Sequence, residues 1–112
     1  MELKNREMLN CLNGTSSLTY KRLPMKLAFA MKHNRKQMLN KLEPFDEMRN
    51  EILEKYPEGN EREAEFGKLL EESVEVDVKK VPIEVVELTD GEGYDKLTLG
   101  ELEAIDFMLE EK

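Results

Sequence analysis

Residues 21–56 read KRLPMKLAFAMKHNRKQMLNKLEPFDEMRNEILEKY, and this stretch decides the fold. Its apolar residues recur in steps of three, four or seven, which keeps one side of an α-helix apolar. The members of this apolar stripe are Leu27, Met31, Met38, Leu42, Phe45, Ile52 and Tyr56. A helix cannot cover its own apolar side, so we expect other segments, or another molecule, to pack against it.

A proline and a reversal of charge divide this stretch near its middle. Pro44 has no backbone N–H to donate to the preceding turn. Residues 21–42 contain seven basic residues and no acidic one, whereas residues 43–54 contain five acidic residues and one Arg. A straight helix with this order of charges would oppose its own dipole. We therefore predict a long helix over residues 24–56 with a kink near Pro44.

Shorter helices are predicted on both sides of the long one. Asn5 is suited to cap a short helix over residues 5–12, which the Asn13-Gly14 pair would end. After the long helix, residues 57–60 predict a turn in which Asn60 can cap the next helix. Residues 61–72 then predict a helix that returns antiparallel to the long one.

Residues 74–86 favour extended structure. Val74, Val76 and Val78 alternate with charged residues, the pattern of a half-buried strand. Pro82 cannot donate to a strand ladder, so it confines its piece to a sheet edge or a bend. Two pairings remain open: the two extended pieces with each other, or one of them with a strand at residues 2–4.

The C-terminal segment predicts a capped helix over residues 99–110. Thr98 and Glu101 have the spacing of a capping box, and Leu97 and Leu102 have that of a hydrophobic staple. The predicted apolar face of this helix consists of Leu102, Ile105, Met108 and Leu109.

Together these elements predict one domain, residues 1–112, of the mainly α class. We expect an antiparallel helical hairpin or small bundle with a long kinked helix, a minor β element and a capped C-terminal helix. Only 39% of the residues are hydrophobic and none is Trp, whereas 38% are charged. The core should therefore be thin.

The sequence contains no motif that points to catalysis, a cofactor or a metal. Phosphate-binding glycine loops, nucleophile elbows and zinc-protease motifs are absent. Cys11 and His33 are the only Cys and His, so neither a disulfide nor a zinc site of the usual ligands can form within one chain. The loop DGEGYD, residues 90–95, lacks the ligand order of a calcium loop. We predict no enzyme activity; a small hydrolase is the weakest of the alternatives.

The location expected from the sequence is intracellular or within a particle. Residues 1–20 lack the apolar core of a secretory signal, and no apolar run approaches the length of a membrane span. We therefore expect no contact with a membrane.

Charge is the most unusual feature of the sequence. Residues 1–42 have a net charge of +7 and residues 43–112 a net charge of −15, for a total of −8. The basic residues form a stripe on the predicted long helix: Lys26, Lys32, Arg35, Lys36 and Lys41. This stripe favours contact with phosphate or an acidic protein surface. The alternative that we favour is that the acidic return helix, residues 61–72, neutralises the stripe within the molecule.

Two groups of charged residues are therefore candidates for binding a partner. The basic group is Lys26, Lys32, Arg35 and Lys36, and the acidic group is Glu71, Glu72, Glu75 and Asp77. The net negative charge and the lack of interleaved aromatic residues disfavour nucleic acid as the partner. Another protein is the expected partner, and the sequence leaves the oligomeric state open.

The order of several short motifs resembles a family of small proteins of unknown function encoded by tailed phages and prophages of Gram-positive bacteria. These motifs are Leu23-Pro24-x-Lys26-x-Ala28, Asn34, Glu54-Lys55-Tyr56, Phe66, Leu69-Leu70-Glu71, Val74-Glu75-Val76-Asp77 and Leu97-Thr98-x-x-Glu101-Leu102. The chain departs from the pattern in its extra basic content at residues 33–36. The resemblance implies a viral origin, no enzymatic activity, and a location in the bacterial host cytoplasm or the virion.

The function expected from these observations is non-enzymatic binding of another protein, as an assembly or accessory factor of a phage. The partner would be a viral structural protein or a host factor. The first alternative is an acidic inhibitor of a host nuclease or defence protein, with the acidic group as its contact: Glu71, Glu72, Glu75 and Asp77.

Overall fold

The computed structural model describes residues 1–110, and most of them are helical. In chain order the elements are β1 (Glu2–Lys4), α1 (Asn5–Thr15), α2 (Met25–Lys41), α3 (Glu43–Lys55), α4 (Asn60–Glu71), β2 (Ser73–Glu75), α5 (Ile83–Glu87) and α6 (Leu99–Ile105). Short 3-10 helices lie at Ser16–Tyr20, Leu88–Asp90 and Asp106–Met108. The predicted mainly α class is confirmed.

Helices α2 and α3 form the predicted long bent helix. They meet at Leu42, whose N–H donates to Met38 O at 2.9 Å and whose carbonyl accepts from Asp46 N at 3.0 Å. Pro44 lies in the first turn of α3, where a missing N–H leaves no bond unmade. The break near Pro44 is therefore confirmed, and the helix begins at Met25, directly after Pro24.

The apolar stripe of this long helix faces the interior. Six of its seven side chains are buried, and Tyr56 is half-buried. The buried stripe residues belong to two groups of packed side chains, which also contain the residues from other segments that cover the stripe. The first core includes Leu3, Met8, Cys11, Met38, Leu42, Phe45, Ile52, Leu69 and Val76. The second core includes Leu18, Leu27, Ala30, Met31, Val81, Val86, Ile105 and Met108.

A tight turn joins α3 to the return helix α4, as the sequence predicts. Gly59 occupies the N-cap position of α4 with φ of 145°, a conformation that side chains with a Cβ rarely adopt. Asn60 is the first helical residue, so its predicted capping role was wrong. α4 packs against α3 and also against α1.

Helix α1 is longer than predicted and uses Asn5 differently. Lys4 occupies the N-cap position, while the Asn5 side chain is buried and donates from Nδ2 to Leu69 O at 2.8 Å. The predicted stop at Asn13-Gly14 was wrong, because α1 continues to Thr15. A Cβ on Gly14 would lie 2.8 Å from Cβ of Ala104, so this glycine permits close packing of α1 on α6.

The β element is a two-stranded antiparallel sheet of β1 and β2, with Leu3 opposite Val74. Of the two pairings left open by the sequence, the one with a strand at residues 2–4 is confirmed. The extended prediction for residues 74–86 was wrong at its end, because residues 83–87 form α5. Pro82 provides the φ that starts this helix, and the helix carries Val86 into the second core.

The C-terminal helix starts as predicted and ends early. The capping box of Thr98 and Glu101 is present, but α6 ends at Ile105 instead of residue 110. The chain then turns, and Glu110 N donates to Val81 O at 2.8 Å. On the predicted apolar face, Ile105 and Met108 are fully buried, whereas Leu102 is exposed. The last two residues of the chain lie outside the described part.

Candidate functional site

Helix α2 has one buried face that fixes its position. Asn34 lies on this face and is 1% exposed. Its Nδ2 donates to Lys79 O at 2.9 Å, and its Oδ1 accepts from Lys79 N at 2.7 Å. These two bonds fasten the chain after β2 to the middle of α2. Asn34 follows Met31 by three positions and precedes Met38 by four, so the helical repeat is the signal that could have indicated its burial; no sequence pattern indicates its partner.

The opposite face of α2 exposes large apolar side chains. Met25 is 72% exposed, Phe29 62% and Leu39 56%. None of these three residues belongs to the predicted apolar stripe, because they lie out of phase with it. That same phase difference was the available signal, since apolar residues opposite a buried face are expected to be exposed.

The predicted basic residues of α2 have different surroundings. Lys26, Lys32 and Lys36 are exposed. Arg35 is half-buried and donates from Nη1 to Leu12 O at 2.9 Å and to Thr15 Oγ1. Arg35 therefore ties α1 to α2, and the three lysines are the members of this group that a partner can reach.

The favoured expectation that α4 neutralises this stripe was wrong. Within residues 1–110, no ion pair includes Lys26, Lys32, Lys36 or Lys41. The reason is the packing of α4 on α1 and α3, away from α2.

Two of the four predicted acidic residues already have cationic partners. Glu71 pairs with Lys4 at 2.8 Å and with Arg6 at 2.9 Å, and the hydrogen bond from Lys4 lowers the Glu71 pKa. Glu75 pairs with the N-terminal amine of Met1 at 2.6 Å. These side chains form solvent-exposed ion pairs, and each such pair contributes little to the stability of the fold.

The other two members of the acidic group are on the surface as well. Asp77 lies 3.2 Å from His33 Nε2. Glu72 is exposed, and its carbonyl oxygen accepts from Asn5 N at 2.9 Å. The acidic group therefore flanks the small sheet, with Glu71 and Glu72 before β2 and Glu75 and Asp77 at and beyond its other end, whereas the basic lysines lie on α2.

A groove of about 450 Å³ runs between α2 and the 3-10 helix Ser16–Tyr20; we call it the basic groove. Leu18, Leu23 and Met31 line it with apolar surface. Its cationic side chains are Lys21, Lys32, Arg35 and Lys36, and no acidic residue lines it. A cleft of similar size between α1 and α6 differs in carrying Glu7, Glu103 and Asp106.

Lys21 at this groove is held by a buried carboxylate. Glu101 is 5% exposed and accepts from Lys21 Nζ at 2.6 Å, from Ser17 Oγ at 2.6 Å and from Thr98 N at 2.8 Å. Burial acts to raise the Glu101 pKa, but these hydrogen bonds outweigh it and lower the pKa to about 2. The carboxylate therefore stays ionised and fixes one wall of the groove.

Cys11 and His33 have separate partners. Cys11 is buried, its Sγ donates to Ala104 O at 3.6 Å, and burial raises its pKa to about 11. His33 Nε2 lies 3.1 Å from Asp77 O. A thiol with a raised pKa is a poor nucleophile at neutral pH.

Neither a metal-binding cluster nor a membrane-spanning helix occurs within residues 1–110. In this part of the chain, no three side chains of His, Cys, Asp or Glu converge closely enough to hold a metal ion. No helix among these residues combines the length and apolar character needed to cross a bilayer.

Comparison with protein-family models, curated proteins and solved structures found no match to this chain.

Proposed function

We propose that this protein is a non-enzymatic, phage-encoded factor that binds another protein through the basic groove, in an assembly or accessory role. The observation that carries the proposal is the composition of the groove, which combines apolar residues with cationic ones and has no acidic residue in its lining. Lys21 is paired with the buried Glu101, so the available charges are those of Lys32, Arg35 and Lys36. Such a surface favours a segment with apolar side chains flanked by carboxylates.

The groove offers both apolar surface and positive charge for binding a partner. Leu39 is 56% exposed at its edge, so covering it removes apolar surface from water. Lys32 and Lys36 are exposed beside it, and their aliphatic stems can lie along the apolar surface while their amines meet carboxylates. Arg35 and Lys21 are held by hydrogen bonds, so part of the surface is already ordered before a partner arrives.

The phage origin rests on the resemblance of the short motifs, and it sets the expected partners and place of action. A viral structural protein is the first expected partner, and the host cytoplasm or the virion is the expected location. Charge interactions are screened beyond about 3 Å at about 1 M salt, whereas burial of apolar surface does not depend on charge and should persist there.

The test is capture of partners from infected cells with the tagged protein, washed at low salt and at about 1 M NaCl. Ala28→Glu places a carboxylate in the groove, since Ala28 is exposed and lines it. Ala64→Glu is the matched control, because Ala64 is also exposed but does not line the groove. We expect virion proteins to be retained at high salt by the wild type and the control, and lost by Ala28→Glu.

Equal capture by Ala28→Glu would contradict the groove as the binding surface. Capture of a basic host protein that is lost at high salt would instead favour the inhibitor of a nuclease or defence protein. A specific observation supports this second candidate: Glu43, Glu47 and Glu54 on α3 are exposed and form no ion pair within residues 1–110. Charge reversal at Glu72, an exposed member of the predicted acidic group that does not line the groove, would weaken inhibition and leave groove binding unchanged.

A further inference from the structure

The exposed side of the long bent helix reverses its charge at the bend. On α2 this side carries Met25, Phe29, Lys32, Lys36 and Leu39, which recur in steps of three and four. On α3 the same steps continue through Glu43, Glu47, Asn50 and Glu54. All nine side chains are exposed. We call these residues the outer face.

The outer face crosses the bend, where helical hydrogen bonds remain on both sides of Leu42 although Pro44 donates none. Leu42 N donates to Met38 O, and Leu42 O accepts from Asp46 N. The steps of three and four therefore keep one side of the helix from Met25 to Glu54. The molecule is 53 Å in its longest dimension and 22 by 20 Å across, so this face is long and narrow.

We propose that a second copy of this chain packs antiparallel along the outer face, about a two-fold axis level with residues 41–42. In that arrangement Lys36 of each copy lies opposite Glu47 of the other, and Phe29 lies opposite Leu53, which is 43% exposed beside the outer face. A parallel arrangement would place Lys32 and Lys36 against the same lysines. The charge pattern therefore selects the antiparallel one.

Antiparallel pairing also satisfies the symmetry of a closed dimer. A two-fold interface uses the same surface on both copies, so each contact occurs twice. The basic half of one copy then meets the acidic half of the other at both ends, and apolar side chains lie between the ion pairs. Surface ion pairs determine the orientation of the two copies more than their affinity. Burial of the exposed apolar side chains supplies most of the binding free energy.

This inference goes beyond the proposed function, because it concerns the purified chain without a foreign partner. The outer face shares Lys32, Lys36 and Leu39 with the basic groove, so a groove partner and a second copy would compete for these three side chains. Failure of the two proposals is distinguishable. A monomer can still capture a virion protein, and a dimer can form even if no virion protein is captured.

The test is sedimentation equilibrium of the purified full chain over a range of micromolar concentrations. The wild type should approach twice the chain mass of 13.1 kDa. Lys36→Glu and Glu47→Lys should each raise the dimer dissociation constant by about tenfold or more, because each creates two repulsive contacts. The double variant restores opposite charges and should return to within about threefold of the wild type.

The control is Glu63→Lys, an exposed charge reversal on α4 away from the outer face. It should leave the dissociation constant unchanged, and far-ultraviolet circular dichroism should show the same helix content for all four variants. A wild-type monomer throughout the range would overturn the proposal. So would a dimer that neither single reversal weakens, or a double variant that does not recover, since either would place the interface elsewhere.

A disulfide between introduced cysteines tests the relative orientation of the two copies. Asn40→Cys lies near the proposed two-fold axis, so two copies should cross-link on mild oxidation, whereas Glu54→Cys lies far from it and should not. The buried native Cys11 serves as an internal control in both variants. Cross-linking at residue 54 without cross-linking at residue 40 would overturn the antiparallel arrangement.

Discussion

Lys21 donates from Nζ to Glu101 Oε1 at 2.6 Å, although 80 positions separate the two residues in the chain. The bond joins the segment before α2 to the first turn of α6. Glu101 also closes the capping box of its own helix, so one carboxylate serves both a local cap and a long-range contact. Its loss should therefore affect the stability of the whole second core.

We expect Glu101→Gln to lower the free energy of unfolding at pH 7 by about 1.5–3 kcal/mol, the range for hydrogen bonds to a charged group. The folded-state pKa of about 2 lies below the ordinary value of 4.5, so the stabilisation is complete above pH 4.5 and decreases toward pH 2. Urea unfolding at several pH values checks this. A difference between wild type and variant that persists undiminished at pH 2 would contradict it.

Gly14→Ala should destabilise the protein by about 1–3 kcal/mol, because its Cβ would press on Ala104 of α6. Gly67→Ala is the matched control, since Gly67 is also helical and a Cβ there meets no atom within 4 Å. The control should gain about 0.5–1 kcal/mol from helix propensity. Thermal unfolding of the two variants should therefore shift in opposite directions; shifts of the same sign would refute the close contact.

Leu27→Ala, Met38→Ala and Ile52→Ala should each destabilise by about 2–5 kcal/mol, because all three side chains are buried. Met25→Ala, at a position 72% exposed on the same long helix, should change stability by less than about 0.5 kcal/mol in the isolated chain. Denaturant midpoints measure these differences. Equal effects at buried and exposed positions would mean that the stripe is not the core.

Asn34→Ala should destabilise by about 1–3 kcal/mol and should release the segment around Lys79, whose backbone N–H and carbonyl both bond to Asn34. Hydrogen exchange at the Lys79 amide should accelerate in this variant. Asn40→Ala, at an exposed position of the same helix, should leave that amide unchanged. Retained protection at Lys79 in Asn34→Ala would show that the side chain does not hold this segment.

Cys11 should react slowly with thiol reagents in the folded protein at neutral pH, because it is buried and its pKa is raised to about 11. Denaturant should restore full reactivity. The comparison is Asn10→Cys in a Cys11→Ser background, since Asn10 is exposed in the adjacent position. If Cys11 in the native protein were labelled as fast as the thiol introduced by Asn10→Cys, its burial would be contradicted.

The sequence was sufficient for features that depend on local spacing. The stripe from Leu27 to Ile52 follows the helical repeat, so its buried side could be predicted without knowing what covers it. The capping box at Thr98 depends on residues three positions apart. The break near Pro44 depends on the missing N–H and on the reversal of charge, both of which are local.

The sequence was insufficient where distant segments decide the structure. Asn13-Gly14 has the composition of a helix end, yet α1 continues past it. The glycine instead permits close packing against Ala104. Residues 83–87 contain β-branched residues that favour strands, yet the packing of Val86 into the second core favours a helix. The neutralisation of the lysines on α2 was predicted wrongly because α4 packs against α1 and α3 instead.

The pairing of β1 with β2 also bears on how the chain folds during synthesis. Asn5 donates to Leu69 O, 64 positions further along, so this hydrogen bond cannot form until that segment has left the ribosome. At about 5–20 residues per second, this delay is roughly 3–13 s. During that interval β1 lacks its strand partner β2, so its backbone N–H and C=O groups are open to other chains.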